Sequence, residues 1–275
     1  MARNIPVIRL KITHEMKWTV YDLTMRNDAD RMIAKITRQE AIAILEREPL
    51  RHFTMRSLLN GTRSVEIYAS GACLLAKDSD SVDGFSFLAV DAEQRCELLL
   101  PLITGEEELI HVQGDKAAEF IRRTFRTGHD ANCIQLYLPD SIPVMDDTDG
   151  IVDLKPEDAE YILSHYDHKD VTTVEYLRSR IRSAPAVGVK VDGILAGFVM
   201  THEELTMGVM QVLPEYRRLG LATRLNAALV LRMRALGHPC LVEIVQGNTA
   251  SLALAKAVGY VPLQKTHWIH LRHET

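Results

Sequence analysis

The feature of the sequence that most constrains the fold is a short loop between an apolar segment and a long helical pattern. The apolar segment runs up to Leu213, Pro214 ends it, and the helical pattern begins at Gly220. A loop of this kind exposes successive backbone N–H groups at a helix N-terminus. There the N–H groups and the helix dipole bind phosphate oxygens. The segment therefore predicts a strand, an anion-binding loop and a helix, in that order.

The side chains of this loop add to its predicted affinity for anions. Arg217 and Arg218 contribute positive charge, Thr223 contributes a hydroxyl donor, and the small Ala222 keeps the loop compact. The loop lacks the Gly-Lys-Ser/Thr sequence of nucleoside triphosphate sites, and the chain has no Gly-x-Gly-x-x-Gly run of dinucleotide sites. The sequence therefore favours a phosphate site of another class.

Helices and strands alternate on both sides of this loop. Asp192-Gly193 is a strong signal for a two-residue hairpin between two of the strands. The predicted strands are Ile151 to Leu154, Ala186 to Val191, Ile194 to Thr201, Leu205 to Leu213 and Leu241 to Gln246, with one or two more between Tyr260 and Leu271. The predicted helices are Glu157 to His165, Thr173 to Ser183, Gly220 to Leu236 and Thr249 to Val258.

The loop resembles the pyrophosphate-binding motif of the GNAT superfamily, Gln/Arg-x-x-Gly-x-Gly/Ala, through Arg217, Gly220 and Ala222. The order of elements around it is also similar to that superfamily, over nearly all of residues 151–275. Within the superfamily, the run from Leu213 to Leu221 looks most like the glycine N-acyltransferase and related FR47-like group. A second segment looks like the one that contacts the CoA arm and packs the last helix: Asn248, Ser251, Leu254, Gly259 and Tyr260.

The resemblance implies an N-acyltransferase that moves an acetyl or other short acyl group from CoA to a primary amine. The amine would attack directly in a ternary complex, without a metal. The pantetheine arm would lie along the strand ending at Leu213, where that strand splays from Leu241 to Gln246, and nearby backbone groups would orient the thioester. The residues implied for acyl-CoA binding are Gln211, Val212, Leu213, Arg217, Arg218, Leu219, Gly220, Leu221, Ala222, Thr223, Asn248 and Ser251.

The expected catalytic positions depart from the family pattern. Where the glycine acyltransferase group has a glutamate base this chain has Thr206, and where many members have a tyrosine acid it has Ala255. Glu204 would share the face of Thr206 on a continuous strand, so Glu204 is the candidate base and Ser251 the candidate acid. The alternatives left open for the base are His202, Glu203, Glu243 and His267, and Tyr260 is expected to be a packing residue.

A linker rich in Pro, Asp and Gly, between Pro139 and Gly150, predicts two domains, residues 1–145 and 146–275. The first domain is predicted to be α/β and has no phosphate motif. It could be a degenerate GNAT-like repeat that shapes the acceptor site or dimerises, so the fold class is α/β with a mixed sheet. Its predicted elements are a helix from Asp28 to Glu48, strands Val65 to Ala69, Ala72 to Ala76 and Gly84 to Val90, a helix from Lys116 to Thr127 and a strand from Cys133 to Leu138.

Composition narrows the classes of function. A net charge of −5 over 275 residues argues against a general nucleic-acid binder. There is neither an apolar run of about 20 residues nor a signal peptide, so we expect a cytoplasmic protein without a membrane partner. The four cysteines and eleven histidines form no metal-ligand spacing. The expected partner is a small-molecule amine or amino acid, with a possible homodimer. The alternatives are a protein N-acetyltransferase and a non-catalytic acyl-CoA sensor.

Overall fold

The computed structural model describes residues 33–61, 63–78, 80, 85–89, 96–103, 109–147 and 149–272. Contacts group these residues into two compact units, which are described separately. Unit 1 contains the described residues up to Ala131 and those from Thr266 onward, and unit 2 is Asn132–Lys265. This grouping does not follow the sequence division between residues 145 and 146, which stays a prediction.

The helices and strands alternate along the chain. The strands are β1 (Ala34–Lys35), β2 (Val65–Ser70), β3 (Cys73–Asp78), β4 (Phe85–Ala89), β5 (Leu109–Gln113), β6 (Thr127–Leu138), β7 (Ile151–Asp153), β8 (Ala186–Val191), β9 (Ile194–Thr201), β10 (Met207–Val212), β11 (Cys240–Val245) and β12 (Val261–Leu271). The helices are α1 (Arg38–Leu45), α2 (Phe53–Asn60), α3 (Asp115–Thr124), α4 (Ala159–His165), α5 (Val174–Ser183), α6 (Leu221–Ala235) and α7 (Thr249–Val258).

Unit 1 contains a mixed sheet with the strand order β1-β2-β3-β4-β5-β12. The β4 and β5 strands are parallel and are paired at four successive positions, from Phe85 with Leu109 to Leu88 with Val112. On its other edge β5 pairs antiparallel with residues 266–270 of β12. Its backbone groups are therefore used by a strand on each side. Buried aliphatic side chains of β2, β3, α1 and α2 form a core on one side of this unit.

The strands of unit 2 are both parallel and antiparallel and follow the order β6-β11-β10-β9-β8-β7. Residues 133–138 of β6 pair antiparallel with β11, and β10 is parallel to β11. One core packs α6 and the end of α7 against the sheet, and it includes Leu225, Leu229 and Tyr260. A separate core, centred on the fully buried Phe198, packs α4 and α5. The sheet is thus covered by two sets of helices.

The two halves of the chain repeat one order of elements: a strand, two helices, three strands, a further strand, a helix and a last strand. Between its fourth and fifth strands, β10 and β11, the second half has α6. The described residues at the matching place in the first half form two short 3-10 turns, Cys96–Leu98 and Leu100–Leu102. Both halves pair the flanking strands in parallel, β4 with β5 and β10 with β11. This supports the predicted GNAT-like repeat, and the mixed α/β class is confirmed.

The prediction of one helix from Asp28 to Glu48 was wrong. Residues 28–32 lie outside the described part, Ala34–Lys35 pairs with β2, and the helix starts only at Arg38. Thr37 caps it, since its hydroxyl accepts a hydrogen bond from the Glu40 N–H and the Glu40 carboxylate accepts one from the Thr37 N–H. Such a capping box stops a helix from extending further toward the N-terminus. The helical pattern of residues 28–48 gave no sign of the strand β1 or of the capped start of α1.

Other differences are smaller. The strand β5 was missed, because the glutamates at 106–108 break the apolar pattern in front of it. The predicted strand from Gly84 to Val90 is observed over Phe85–Ala89, and its outer residues lie outside the described part. The last segment is one strand, with Pro262 near its start, where proline is tolerated. Among the residues that the structure describes, no helix is both long and apolar enough to cross a lipid bilayer.

Candidate functional site

The parallel strands β10 and β11 diverge in unit 2. Within the described chain they are paired only at Met207 with Val242. Further along, β10 still pairs with β9, through Gln211 with Phe198 and Val212 with Gly197, after a register shift between Gly208 and Gln211. The backbone edge of β10 that faces β11 is therefore without a strand partner over its second half. An extended ligand with amide groups can pair with such an edge.

A β-bulge lies at the point of divergence. Val209 has a φ of 47°, which is unusual for a β-branched residue. A bulge leaves one residue out of the ladder and turns its backbone groups away from the neighbouring strand. The N–H groups around Val209 are thus positioned to contact something other than β9. In an acyl-transfer site, N–H groups of this kind stabilise a developing oxyanion.

The loop after β10 lines a concavity at the start of α6. Arg218 and Gly220 both have left-handed backbones, with φ of 67° and 77°. Gly220 is the N-cap residue of α6, no side chain caps this end, and its first turn has no acidic residue. The first N–H groups of a helix lack intrahelical acceptors. They are consequently available to an anion, which the helix dipole also favours.

A cavity of about 230 Å³ adjoins these N–H groups. It brings together most of the residues that the sequence predicted for binding, and Arg218 and Gly220 are exposed at its mouth. Gln211, Leu213, Leu219, Asn248 and Ser251 do not line it. The lining residues are Val212, Tyr216, Arg217, Arg218, Gly220, Leu221, Ala222 and Thr223.

Arg217 is oriented by the strand and by an acidic residue that the sequence did not single out. Its Nε donates to the Val212 carbonyl oxygen at 3.2 Å, and its guanidinium lies 3.8 Å from the Asp167 carboxylate. Asp167 also accepts a hydrogen bond from Nε2 of the buried Gln211 at 2.9 Å. Asp167 thus ties the α4–α5 connection to β10. No pattern in the sequence pointed to it, because it lies in an irregular loop.

The second predicted binding segment forms the start of α7. The Asn248 side chain accepts a hydrogen bond from the Ser251 N–H at 3.1 Å, so Asn248 is the N-cap of this helix. Both residues are at least partly exposed. The helix ends at Gly259, which has a φ of 104°. The capping role is a structural one, and the roles of Asn248 and Ser251 toward a ligand stay predictions.

Glu204 does not lie on a continuous strand, as the sequence analysis had expected. Residues 202–206 form a turn in which the His202 N–H donates to the Thr206 carbonyl at 2.8 Å, and Leu205 has a φ of 64°. The turn still brings the two residues together, since the Thr206 hydroxyl donates to the Glu204 carboxylate. Both are almost fully buried. A buried carboxylate therefore lies at the start of β10, before the bulge.

His202 forms a hydrogen-bonded pair with Tyr176 from α5. The Tyr176 hydroxyl lies 2.8 Å from Nδ1 of His202. Burial raises the pKa of Tyr176 well above its ordinary value, and the negative charge of Glu204 raises it further. The phenol therefore keeps its proton at neutral pH. The sequence gave His202 only as one of several alternatives, and nothing in it pointed to Tyr176.

Two of the other candidate bases, Glu243 and His267, are engaged in contacts away from the turn, and Glu203 stays a prediction. Glu243 accepts a hydrogen bond from the Gln135 side chain at 2.8 Å. His267 belongs to unit 1, where its ring nitrogens lie 3.1 Å from Asp115 and 3.2 Å from Arg122. Burial lowers the pKa of His267, and the charge of Arg122 adds to this. These contacts favour a structural role for both residues.

Tyr260 is buried beneath the divergence of the strands. Its hydroxyl accepts a hydrogen bond from the Asn226 side chain at 3.1 Å and lies 3.7 Å from the sulfur of Met207. Burial raises the pKa of its hydroxyl, so the group stays neutral. Its ring packs in the core of α6 and α7. Within the described parts of the chain, no group of His, Cys, Asp and Glu side chains is arranged to hold a metal ion.

Residues 190–269 match the family model described as FR47-like protein. Among solved structures, a Drosophila protein is similar with a TM-score of 0.68 and 19% identity, over 87% of this chain and 98% of that one. A GCN5-related N-acetyltransferase from Kribbella flavida has a TM-score of 0.53 and 13% identity, over 87% and 96%. A GCN5-related N-acetyltransferase-like protein from Streptococcus suis has a TM-score of 0.52 and 16% identity, over 86% and 100%.

At these identities the solved structures show a shared fold, and they do so over both halves of this chain. No curated protein is significantly similar to the chain in sequence.

Proposed function

Because residues 190–269 match the FR47-like family model and the loop before α6 resembles the GNAT pyrophosphate motif, we propose that this protein is an acyl-CoA-dependent N-acyltransferase. It moves an acetyl or other short acyl group from CoA to a primary amine. The observation that carries the proposal is the unpaired edge of β10, with its bulge at Val209, directly before the uncapped N-terminus of α6. One ligand with an amide-bearing arm and a pyrophosphate fits both features.

In this proposal the pyrophosphate binds at the N–H groups that follow Arg218 and Gly220. The two arginines of the loop add charge, and Thr223 adds a donor. The pantetheine amides pair with the β10 edge at Gln211 to Leu213, and the thioester carbonyl accepts from N–H groups at the bulge. Asn248 and Ser251 lie at the start of α7, the helix that follows β11. Holding both reactants in place supplies much of the rate enhancement.

The acceptor is a small-molecule amine or an amino acid. The attacking nitrogen forms a bond to the carbonyl carbon, the carbon–sulfur bond breaks, and CoA leaves as a thiolate. The nitrogen must lose a proton, and Glu204 is the base that the sequence analysis favours for it. The turn keeps Glu204 hydrogen-bonded to Thr206. Ser251 is the candidate acid for the thiolate. A thiol with an ordinary pKa near ~8.5 leaves readily, so a strong acid is optional.

The second candidate is an acyl-CoA sensor without turnover. It is favoured by Thr206 and Ala255, which stand where related enzymes have the base and the acid. The enzyme is better supported, because the turn before β10 carries both the buried carboxylate of Glu204 and the half-buried imidazole of His202. Burial of a charged group costs free energy, and a role in proton transfer accounts for it.

The test is thiol release from acetyl-CoA by the purified protein, across a panel of amino acids, polyamines and short peptides. Release that depends on one class of small amine supports the proposed enzyme and identifies its acceptor. Release only with peptides would indicate a protein N-acetyltransferase instead. Calorimetric binding of acetyl-CoA without release with any amine, also when longer acyl donors are tried, would support the sensor.

Replacing Arg218 with alanine should weaken acetyl-CoA binding several-fold, and the loss should shrink as salt is raised. The side chain is exposed at the cavity mouth, so its attraction to phosphate is screened by ions. The measurement is calorimetric titration at about 50 and about 500 mM NaCl. The control is Arg232→Ala, near the other end of α6, where the guanidinium is paired with Asp153. Equal losses for the two variants, or a loss that salt leaves unchanged, would contradict this role.

A further inference from the structure

The turn between β9 and β10 carries the imidazole of His202, just before the bulge of β10. The His202 N–H donates to the Thr206 carbonyl at 2.8 Å, and the Leu205 N–H donates to the His202 carbonyl at 3.1 Å. These two hydrogen bonds hold the backbone of His202 in the turn. The His202 side chain is half-buried, so it contacts the protein and still reaches water.

Tyr176 determines which nitrogen of the imidazole is occupied. Its hydroxyl lies 2.8 Å from Nδ1, and it is carried on the first turn of α5, which Thr173 caps. Because burial keeps the phenol protonated, the hydroxyl remains a neutral hydrogen-bonding partner of the ring. Nε2 has no hydrogen-bonding partner among the described residues. The pair thus fixes the ring and leaves Nε2 for another group.

Gly208 defines where Nε2 lies. A Cβ atom on Gly208 would overlap both Nε2 and Cδ2 of His202, so the edge of the ring occupies the space above this glycine. Gly208 directly precedes Val209, the bulge residue with a φ of 47°. Nε2 is therefore held over the β10 backbone next to the N–H groups to which the proposed function assigns the thioester carbonyl.

We propose that Nε2 of His202 accepts the proton of the attacking amine and that Tyr176 is the positioning residue for this imidazole. The inference rests on the proposed N-acyltransferase function. As the N–C bond forms and the C–S bond breaks, the electron pair of the latter leaves on the sulfur of CoA. The amine proton passes to Nε2 and from there to water. Imidazole is the side chain suited to accept and release a proton near neutral pH.

The charged groups that act on the Tyr176 hydroxyl, the partner of the ring, come from two elements. Glu203 and Glu204 lie in the turn, and Arg180 lies on α5. The nearly buried Arg180 donates through Nε to the Thr201 carbonyl at 3.0 Å. In this proposal the Glu204 carboxylate, which accepts a hydrogen bond from the Thr206 hydroxyl, stabilises the positive charge that develops during the transfer. Glu204, the candidate base of the sequence analysis, then has an electrostatic role.

The experiment compares His202→Gln and Tyr176→Phe with the wild type in the full chain. The acyl donor is acetyl-CoA, and the acceptor is the amine of the panel that gives the fastest thiol release. For His202→Gln we expect kcat to fall at least about 100-fold and the acidic limb of the pH profile to disappear. For Tyr176→Phe we expect a loss of about 10-fold in kcat with the limb displaced. Calorimetric affinity for acetyl-CoA should be unchanged in both.

The control is His238→Gln, which follows the C-terminal end of α6 and should keep wild-type kinetics. A His202→Gln variant that binds acetyl-CoA, keeps kcat within about threefold of wild type and retains the acidic limb would overturn the assignment and leave the proposed function intact. If the acidic limb of the pH profile disappeared in Glu204→Gln and was kept in His202→Gln, Glu204 would be the base instead of His202. A wild type without transfer would refute the proposed function itself, and this inference with it.

Discussion

Replacing Gly220 with valine should reduce acetyl-CoA binding by at least about 100-fold. Gly220 has a φ of 77° and no heavy atom within 4 Å of the position of an added Cβ, so the effect arises from the backbone and not from a clash. A β-branched residue strongly disfavours this conformation, at a cost on the order of 1–3 kcal/mol. The loop would relax to another backbone and turn its N–H groups away from the phosphates. Losing two such hydrogen bonds accounts for the expected factor.

The matched control is Gly237→Val. Gly237 follows the other end of α6, has a φ of 72° and also has no heavy atom within 4 Å of an added Cβ. It should lose a similar amount of stability in a thermal melt while binding acetyl-CoA with wild-type affinity. If Gly220→Val bound acetyl-CoA normally in a calorimetric titration, the loop would not be the phosphate site.

The chain should bind one molecule of acetyl-CoA, in unit 2, and none in unit 1. In unit 1 the strands equivalent to β10 and β11 are β4 and β5, and they are paired at four successive positions. The other edge of β5 is paired with β12. Because these backbone groups already have partners, a pantetheine arm has no edge to pair with. The N-terminal half also lacks the Arg-x-x-Gly-x-Ala sequence.

Calorimetry gives this stoichiometry directly, and we expect a value near one per chain. The Gly220→Val variant separates the two units, because it removes binding in unit 2 and does not touch unit 1. Two molecules bound per wild-type chain, or one molecule still bound to Gly220→Val, would show that unit 1 binds the ligand.

The loop between β10 and α6 was predictable as a strand–loop–helix junction because its residues are required by local backbone geometry. Pro214 ends a strand, Gly220 has a positive φ, and an amphipathic helix follows at once. These signals act over a few residues and are therefore visible in the sequence. The same holds for the turn at Asp192-Gly193, where both residues have a positive φ.

The acceptor side of the site was not predictable in the same way. Tyr176 and His202 are 26 residues apart, and Asp167 and Gln211 are 44 apart, so their contacts depend on how α4 and α5 pack on the sheet. Glu204 was expected to share the face of Thr206 on a continuous strand, yet the chain turns there and Leu205 has a φ of 64°. A turn that depends on an unfavourable residue leaves no signal in a propensity pattern.

Which strands pair with each other was also not predictable from local sequence patterns. The sequence predicted the strand around Cys133 to Leu138, and the structure pairs it with β11 in unit 2. Residues 266–270, at the end of the predicted C-terminal domain, pair with β5 in unit 1. Pairing partners are chosen by hydrophobic pattern and register across the whole sheet. The order of elements predicts a repeat, but it does not predict with which unit the last strand of each half, β6 or β12, pairs.

The most direct test of the proposed function follows the acyl group itself. The protein is incubated with acetyl-CoA labelled with deuterium in the acetyl group and with the best amine of the panel, and the products are analysed by mass spectrometry. We expect the labelled acetyl group to appear intact on the amine, at a rate equal to the release of CoA, and to be absent with Gly220→Val. Release of CoA with the label recovered only as acetate, or no transfer at all from any acyl-CoA, would contradict an N-acyltransferase.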